Sequence, residues 1–274
     1  MLSKIPYKAL KTELKFIYQT EIAEMMDGKR NNISRISYVD LLPAKTSFWS
    51  GDQTLQVIRK SAALNSLSGN NADAFVQQAA TVLHQLRFRI GLKGMPAALE
   101  DQDLLWKSWM DTRGYLADSY TGDWVNQALS KIDKQLKPSD QLLNTVMKDM
   151  FLNDYFRNLY SRDFEDRQLV VEREINGLTP LTIPIKEKLQ LKEGAENYEV
   201  LFSGRCTDSR IKNDLNNWLE NSSRNLLPAD IEITSSGFLL INKKTGWCSA
   251  FESNYAISSG SDFEKTVKLT LKTI

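Results

Sequence analysis

The stretch LKTELKFIYQTEIAEMMDGKRNNISRISYVDL, Leu10 to Leu41, decides how the rest of the chain is read. From Leu10 to Ile22 the even positions hold Leu10, Leu14, Phe16, Tyr18 and Ile22, with Thr12 and Thr20 between them. The odd positions hold Lys11, Glu13, Lys15, Gln19 and Glu21, and Ile17 is the apolar exception. Side chains of a strand alternate between faces, so this period of two predicts a strand with one buried and one wet face. Asp27-Gly28 follows, a pair suited to a turn because glycine accepts positive φ. Ile33 to Leu41 is a second β-type run, and the whole reads as a long hairpin. A helix is the rival reading, since Leu10, Leu14, Ile17, Tyr18, Ile22 and Met25 also fit a helical stripe. The aromatic and threonine content, and the turn, favour strands.

Beyond this hairpin, Pro43 to Asp52 reads as a loop containing Trp49, and Thr54 to Leu64 is ambiguous. Asn65 to Asn71 is a turn cluster, and Ala72 to Gln85 reads as a helix rich in Ala and Gln. Leu86, Phe88, Ile90 and Leu92 alternate with Arg87, Arg89 and Lys93, which predicts a strand ended by Gly94. Pro96 followed by Glu100, Asp101 and Asp103 predicts the start of a helix, because proline suits the first turn and acids suit the helix dipole. Three helices are predicted between Ala97 and Tyr160. Their apolar stripes run through Leu105, Trp109 and Leu116, then Val125, Leu129 and Leu136, then Leu142, Val146 and Phe151.

From Gln168 the pattern is again of period two, in Leu169 to Ile175, Ile183 to Leu191 and Asn197 to Cys206. Pro184 marks an edge or a bulge. Asp208 can cap a helix carrying Ile211, Leu215, Trp218 and Leu219. Ile231 to Ile233, Phe238 to Ile241 and Trp247 to Phe251 read as strands, and Val267, Leu269 and Leu271 alternate to the end. Alternating apolar strands point to antiparallel pairing. The predicted fold class is α+β: a curved antiparallel sheet built from the N- and C-terminal strands, with a helical insert packed against it. The predicted organisation is a single domain over 1–274, β-rich in 1–95, helical in 96–162, and β-rich with one helix in 163–274.

The 274 residues carry 35 Lys plus Arg against 34 Asp plus Glu, a net charge of +1. A nucleic-acid binder needs a basic footprint, so this balance argues against that class. No run of 18 apolar residues is present, so no transmembrane helix is predicted. Met1 to Tyr7 lacks the apolar core of a signal peptide, which leaves a cytoplasmic location or a leader already removed. Cys206 and Cys248 are the two cysteines; they read either as buried thiols or as a disulfide between neighbouring strands.

A single histidine, His84, rules out a multi-histidine metal site and gives no triad. Carboxylates cluster at Glu100, Asp101 and Asp103, at Asp118 and Asp123, and at Asp163, Glu165 and Asp166. A converging pair would suit glycosidic hydrolysis, but a helix start and a solvated linker account for the first and third clusters. No phosphate loop or nucleophile elbow is present. The sequence therefore nominates no catalytic residue, no metal and no cofactor. Trp106, Trp109 and Trp218 fit helix stripes, whereas Trp49 and Trp247 sit in or beside turns. Trp49 and Trp247, together with the strand residues Phe202 and Phe251, are the candidates for a ligand mouth or partner surface.

Two stretches carry a resemblance: ELKFIYQTEI (Glu13–Ile22) leading to Asp27-Gly28-Lys29, and GFLLINKKTGW (Gly237–Trp247). They resemble segments of uncharacterised secreted or lipid-anchored bacterial envelope proteins with a large antiparallel sheet. The resemblance implies a periplasmic or envelope location and no catalytic residues. It also implies that an apolar ligand or lipid is held between sheet and helices, as in half-barrel relatives of such proteins. The resulting expectation is a non-enzymatic envelope protein that binds a hydrophobic small molecule, a lipid or a protein partner. The alternatives are a carboxylate-dependent glycan hydrolase and a cytoplasmic interaction or immunity-type protein.

Overall fold

The structure, a computed structural model, describes residues 3–26, 28–46, 52–61, 71–222, 230–260 and 263–274. Asp27, Trp49, the stretch 62–64 and the turn cluster from Asn65 to Asn70 lie outside the described residues.

The opening hairpin forms as predicted. Strand β1, Leu14–Met26, pairs antiparallel with β2, Lys29–Thr46, and Gly28 takes a φ of 71° in the turn. Phe16 and Tyr18 are buried, as their even register requires. The strand starts four residues later than the alternation suggests. Leu10 spends its N–H and C=O on the buried Gln53 side chain, so its backbone has no call for a strand partner. Pro43, expected in a loop, lies inside β2 where the register with the next strand shifts, as proline in a sheet requires.

The ambiguous run resolves as β3, Gln53–Ser61, which pairs with β2 and with β4, Gln85–Ile90. Helix α1, Asn71–Ala80, and a 3-10 turn, Thr81–His84, lie between β3 and β4. Pro96 does not start a helix. Pro96–Leu99 is a short edge strand, β5, against β4, and α2 begins at Gln102. Four residues are too few to show a period of two.

Helix α2, Gln102–Ser119, is followed by α3, Asp123–Leu136. The predicted third helix is two short ones, α4, Leu142–Val146, and α5, Met150–Tyr155, whose first turn is capped by Asp149 through the Leu152 N–H. Then come β6, Gln168–Ile175; β7, Ile183–Glu193; β8, Asn197–Arg205; α6, Ser209–Ser222; β9, Ile231–Asn242; β10, Cys248–Ser259; and β11, Phe263–Thr273. The two predicted strands around Gly237 are one strand, β9.

The described strands form one open, curved antiparallel sheet of eleven, in the order β5-β4-β3-β2-β1-β11-β10-β9-β8-β7-β6. Two meanders, β1 to β5 and β6 to β11, are joined where β1 pairs with β11. The chain thus leaves the sheet at one edge, β5, and returns at the other, β6. Ten strand spacings of ~4.8 Å separate those edges. The helices between them must cross one face, and they do. Phe151 meets Tyr18 edge-on at 5.1 Å between ring centroids, and Tyr155 meets Phe16 at 5.8 Å. Tyr155 also stacks on Trp247. Each such aromatic pair contributes about 0.5–1.5 kcal/mol beyond its buried area. Short α5 therefore sits over the centre of the sheet, where β1, β11 and β10 meet.

Candidate functional site

Strand β7 alternates Ile183, Ile185, Glu187, Leu189 and Leu191 on its buried face, so register alone carries a carboxylate into the core. Strand β6 does the same with Arg173, which lies between Val171 and Ile175 on the face turned to the helices. Helix α5 brings Asp154, and one turn later Arg157 follows its end. Asp154, Arg157 and Glu187 are 1%, 2% and 0% exposed at their side chains.

These four close a ring. Arg157 Nη1 donates to Glu187 Oε2 at 2.9 Å and its Nη2 donates to Asp154 Oδ1 at 2.9 Å. Arg173 Nη2 donates to Asp154 Oδ1 at 2.8 Å and its Nη1 to Glu187 Oε1 at 3.2 Å. Ser235 of β9 donates to Glu187 Oε1 at 3.0 Å, and Tyr255 of β10 donates its hydroxyl to Asp154 Oδ1. Asn153 accepts from Arg173 through both its side chain and its carbonyl. Phe202 lies flat beneath the Arg157 guanidinium, 3.7 Å from ring centroid to Cζ. Two atoms of the ring stay unpartnered, Asp154 Oδ2 and Arg157 Nε.

Charge and burial oppose each other here. Burial pushes the Asp154 carboxyl upward, but the guanidiniums of Arg157 and Arg173 and the Tyr255 hydroxyl outweigh it and hold the group below the usual carboxylate range. Burial, followed by the charge of Asp154, raises Tyr255 well above an ordinary phenol. Arg173 is pulled down by burial and pushed up more strongly by Tyr255, Asp154 and Glu187. Two carboxylates and two guanidiniums cancel, so the ring is neutral as a unit. It ties α5 to β6, β7, β9 and β10, and its chemistry is that of a fixed charge array.

Three members of the ring, Arg157, Arg173 and Glu187, floor a cleft of about 470 Å³ beside β6. Leu159, Val171 and Leu189 supply its apolar part and Arg162 adds charge at its border, whereas Val170, Glu172 and Lys186 of the same strands stand on the opposite face of the ladder. A second cleft, about 540 Å³, lies between β4, the 3-10 turn and the start of α2. It holds His84, Glu100 and Asp101; Asp101 pairs with Arg87 at 2.7 Å and takes a φ of 55°. Burial and then Arg59 lower the basicity of His84.

Of the described residues nominated from sequence, Phe202 reaches the ring and the others do not. Trp247 is 1% exposed and donates its indole N–H to the Lys8 carbonyl at 2.8 Å, so it is core rather than a mouth. Phe251 is likewise buried, and Phe202 is the floor under Arg157. Trp49 lies outside the described residues. Cys206 and Cys248 are both buried and unbonded. The disulfide reading fails on register. Cys206 donates its N–H to Ile233, Cys248 pairs with Ile241, and those partners stand eight positions apart on β9. That is roughly 26 Å, far beyond disulfide reach.

The acid clusters stay apart. Asp103 and Asp118 lie near opposite ends of α2, and Asp163 pairs with Lys4. Glu100 and Asp101 share a cleft. Among the described residues, no three of His, Cys, Asp and Glu converge to hold a metal ion. The ring residues themselves went unnoticed in the sequence. A signal existed: Glu187 and Arg173 interrupt alternating strands at inward positions, where a charge needs a partner.

No protein-family model matches the chain, and no curated protein sequence matches it. No described helix is long and apolar enough to cross a membrane.

Proposed function

We propose that this chain is a non-enzymatic binding protein of the bacterial envelope that takes a hydrophobic small molecule or lipid in the cleft beside β6. One observation carries the reading: a cleft of about 470 Å³, walled in part by Leu159, Val171 and Leu189, stands on a charge array of which Asp154, Arg157 and Glu187 are buried. Burying two carboxylates and two guanidiniums is costly, and a neutral apolar floor would pack as well. The array fixes the cleft floor rigidly, which lowers the ordering cost of binding. The likeness of the two quoted stretches to envelope proteins supports the location.

The test is titration with N-phenyl-1-naphthylamine, a neutral apolar fluorophore. Saturable one-to-one uptake that Val171→Glu abolishes supports the reading. Uptake that does not saturate, or that Val171→Glu leaves intact, removes it.

A second reading follows from Glu100 and Asp101 lying in one cleft with His84. A glycan hydrolase would use such an acid pair. Hydrolysis of aryl glycosides that Glu100→Gln abolishes would favour this reading, and the absence of hydrolysis across a panel would discard it.

A further inference from the structure

We propose that the surface pocket where α1, α2 and α3 meet binds a neutral saccharide of glucose type, with one sugar ring laid on Trp124. This pocket shares no residue with the cleft beside β6, and the proposal stands without the reading of that cleft.

The pocket has a volume of about 370 Å³ and lies where α2 ends and where α1 and α3 begin. Trp124, in the first turn of α3, is 41% exposed. The buried stripe of that helix runs through Val125, Leu129 and Leu136, and Trp124 stands at its margin. The indole is nonetheless fixed. It meets the buried Phe75 ring edge-on at 5.3 Å between centroids and Tyr120 at 6.4 Å, and Tyr120 meets Phe75 at 5.5 Å. Gly122 lies close beside it: a Cβ there would stand 3.1 Å from the indole Cδ1 and 3.2 Å from Nε1. An aromatic side chain that is both held and open suits a flat ligand, because little has to be ordered on binding.

The lining sets the chemistry of the ligand. Asn71, Ala72, Ser119, Tyr120, Thr121 and Trp124 form the walls, and none is charged. Asp118 and Asp123 flank these residues in the sequence but do not line the pocket. Ser119 is hydrogen-bonded to Tyr115. Among the described residues, the Asn71 amide, the Tyr120 and Thr121 hydroxyls and the Trp124 indole N–H have no hydrogen-bond partner. An ionic ligand finds no counter-charge on these walls and would lose its hydration without compensation. A purely apolar ligand would cover the four polar groups and leave them unpaired. A glucose-type ring meets both demands. Its hydroxyls stand around the rim and both donate and accept, as the amide and the two protein hydroxyls do. Its two faces carry only C–H, which suits the negative face of an indole.

The experiment is saturation-transfer difference NMR on the full chain at pH 7 with cellobiose. Sorbitol is the comparison, a polyol with the same hydroxyl chemistry and no ring face. Cellobiose gives a saturable signal with a Kd of about a millimolar, and sorbitol binds at least roughly tenfold more weakly. Trp124→Leu keeps an apolar side chain against Phe75 and removes the ring face and the N–H; it raises the Kd at least roughly tenfold. Tyr120→Phe combined with Thr121→Val removes only the two hydroxyls and raises the Kd about threefold to tenfold. Thermal unfolding checks that each variant is folded, and if Trp124→Leu is not, the double variant decides alone. Absence of a saturable cellobiose signal overturns the proposal. Equal binding of sorbitol overturns recognition of a sugar ring, and an unchanged Kd in either folded variant overturns the assignment to this pocket.

Discussion

Asp154 illustrates what a buried charge demands of its surroundings. Its Oδ1 accepts from two guanidiniums and a phenol, while Oδ2 has no partner. Removing one member of such an array strands the others, and that typically costs about 3–5 kcal/mol. Asp154→Asn therefore lowers stability by about that much at neutral pH. The pH dependence has a definite sign. The folded carboxyl titrates below its ordinary range, so its contribution is complete above about pH 3.9, the unfolded value, and is lost as pH falls toward the folded one. The gap between the urea midpoints of the two proteins should therefore be widest near pH 7 and narrow as pH falls below about 3.9. A gap that holds constant or widens on acidification contradicts the assignment. Cys248 offers a second test at the same scale. Burial pushes its thiol up to about 12, and its Sγ donates to the Ala250 carbonyl at 3.3 Å. Native protein at pH 8 should show no fast-reacting thiol, and unreduced protein in denaturant should show two; finding none in denaturant would mean a disulfide the register forbids. Single residues of this kind were hard to find in the sequence because their partners lie far along the chain: Asp154 and Tyr255 are 101 positions apart. What was legible was the anomaly at Glu187 and Arg173, not the answer to it.

At the scale of elements, period two carried the reading. The hairpin of β1 and β2, the β4 alternation and the β7 and β11 patterns all follow from one buried face, and a one-residue slip would expose every apolar side chain. Short or interrupted elements were not legible. β5 has too few residues to show a pattern, and β9 was split at Gly237. The structure explains that glycine. Gly237 has a φ of 156°, and a Cβ there would stand 2.0 Å from the Glu252 carbonyl oxygen of β10 and 2.7 Å from the Phe202 ring. The glycine thus lets β9 run on past a close approach of its neighbours, including the ring that floors the charge array. Gly28, by contrast, has a φ of 71° and nothing within 4 Å. Gly28→Ala should cost only the left-handed backbone penalty, about 1 kcal/mol. Gly237→Ala adds overpacking to strain and should cost about 3 kcal/mol or more. Denaturant midpoints rank the two, and an equal cost would mean that β9 and β10 yield locally.

For the whole molecule, the decisive contact is between the ends of the sequence. β1 pairs with β11 from Phe16 opposite Thr273 to Met26 opposite Phe263, and the Ile274 N–H reaches the Lys15 carbonyl at 3.0 Å. Without β11 the two meanders have no shared ladder. β1 and β10 both run antiparallel to β11, so they are parallel to each other. They cannot close the gap with the ladder each now makes, because a parallel pair needs evenly spaced, slanted bonds in a different register. Deleting residues 263–274 therefore leaves two long unpaired edges in the middle of the sheet and removes Phe263, Val267, Leu269 and Leu271 from the core. The shortened chain should lose its cooperative unfolding transition and run as aggregate in size exclusion. A synthetic peptide of residues 263–274, present during refolding, should restore a soluble complex by adding back the missing strand. A monomeric shortened chain with the full-length unfolding midpoint would show instead that each meander stands alone. In that case the helices crossing the sheet, and not the β1–β11 ladder, would be what holds the halves and the cleft at β6 in place.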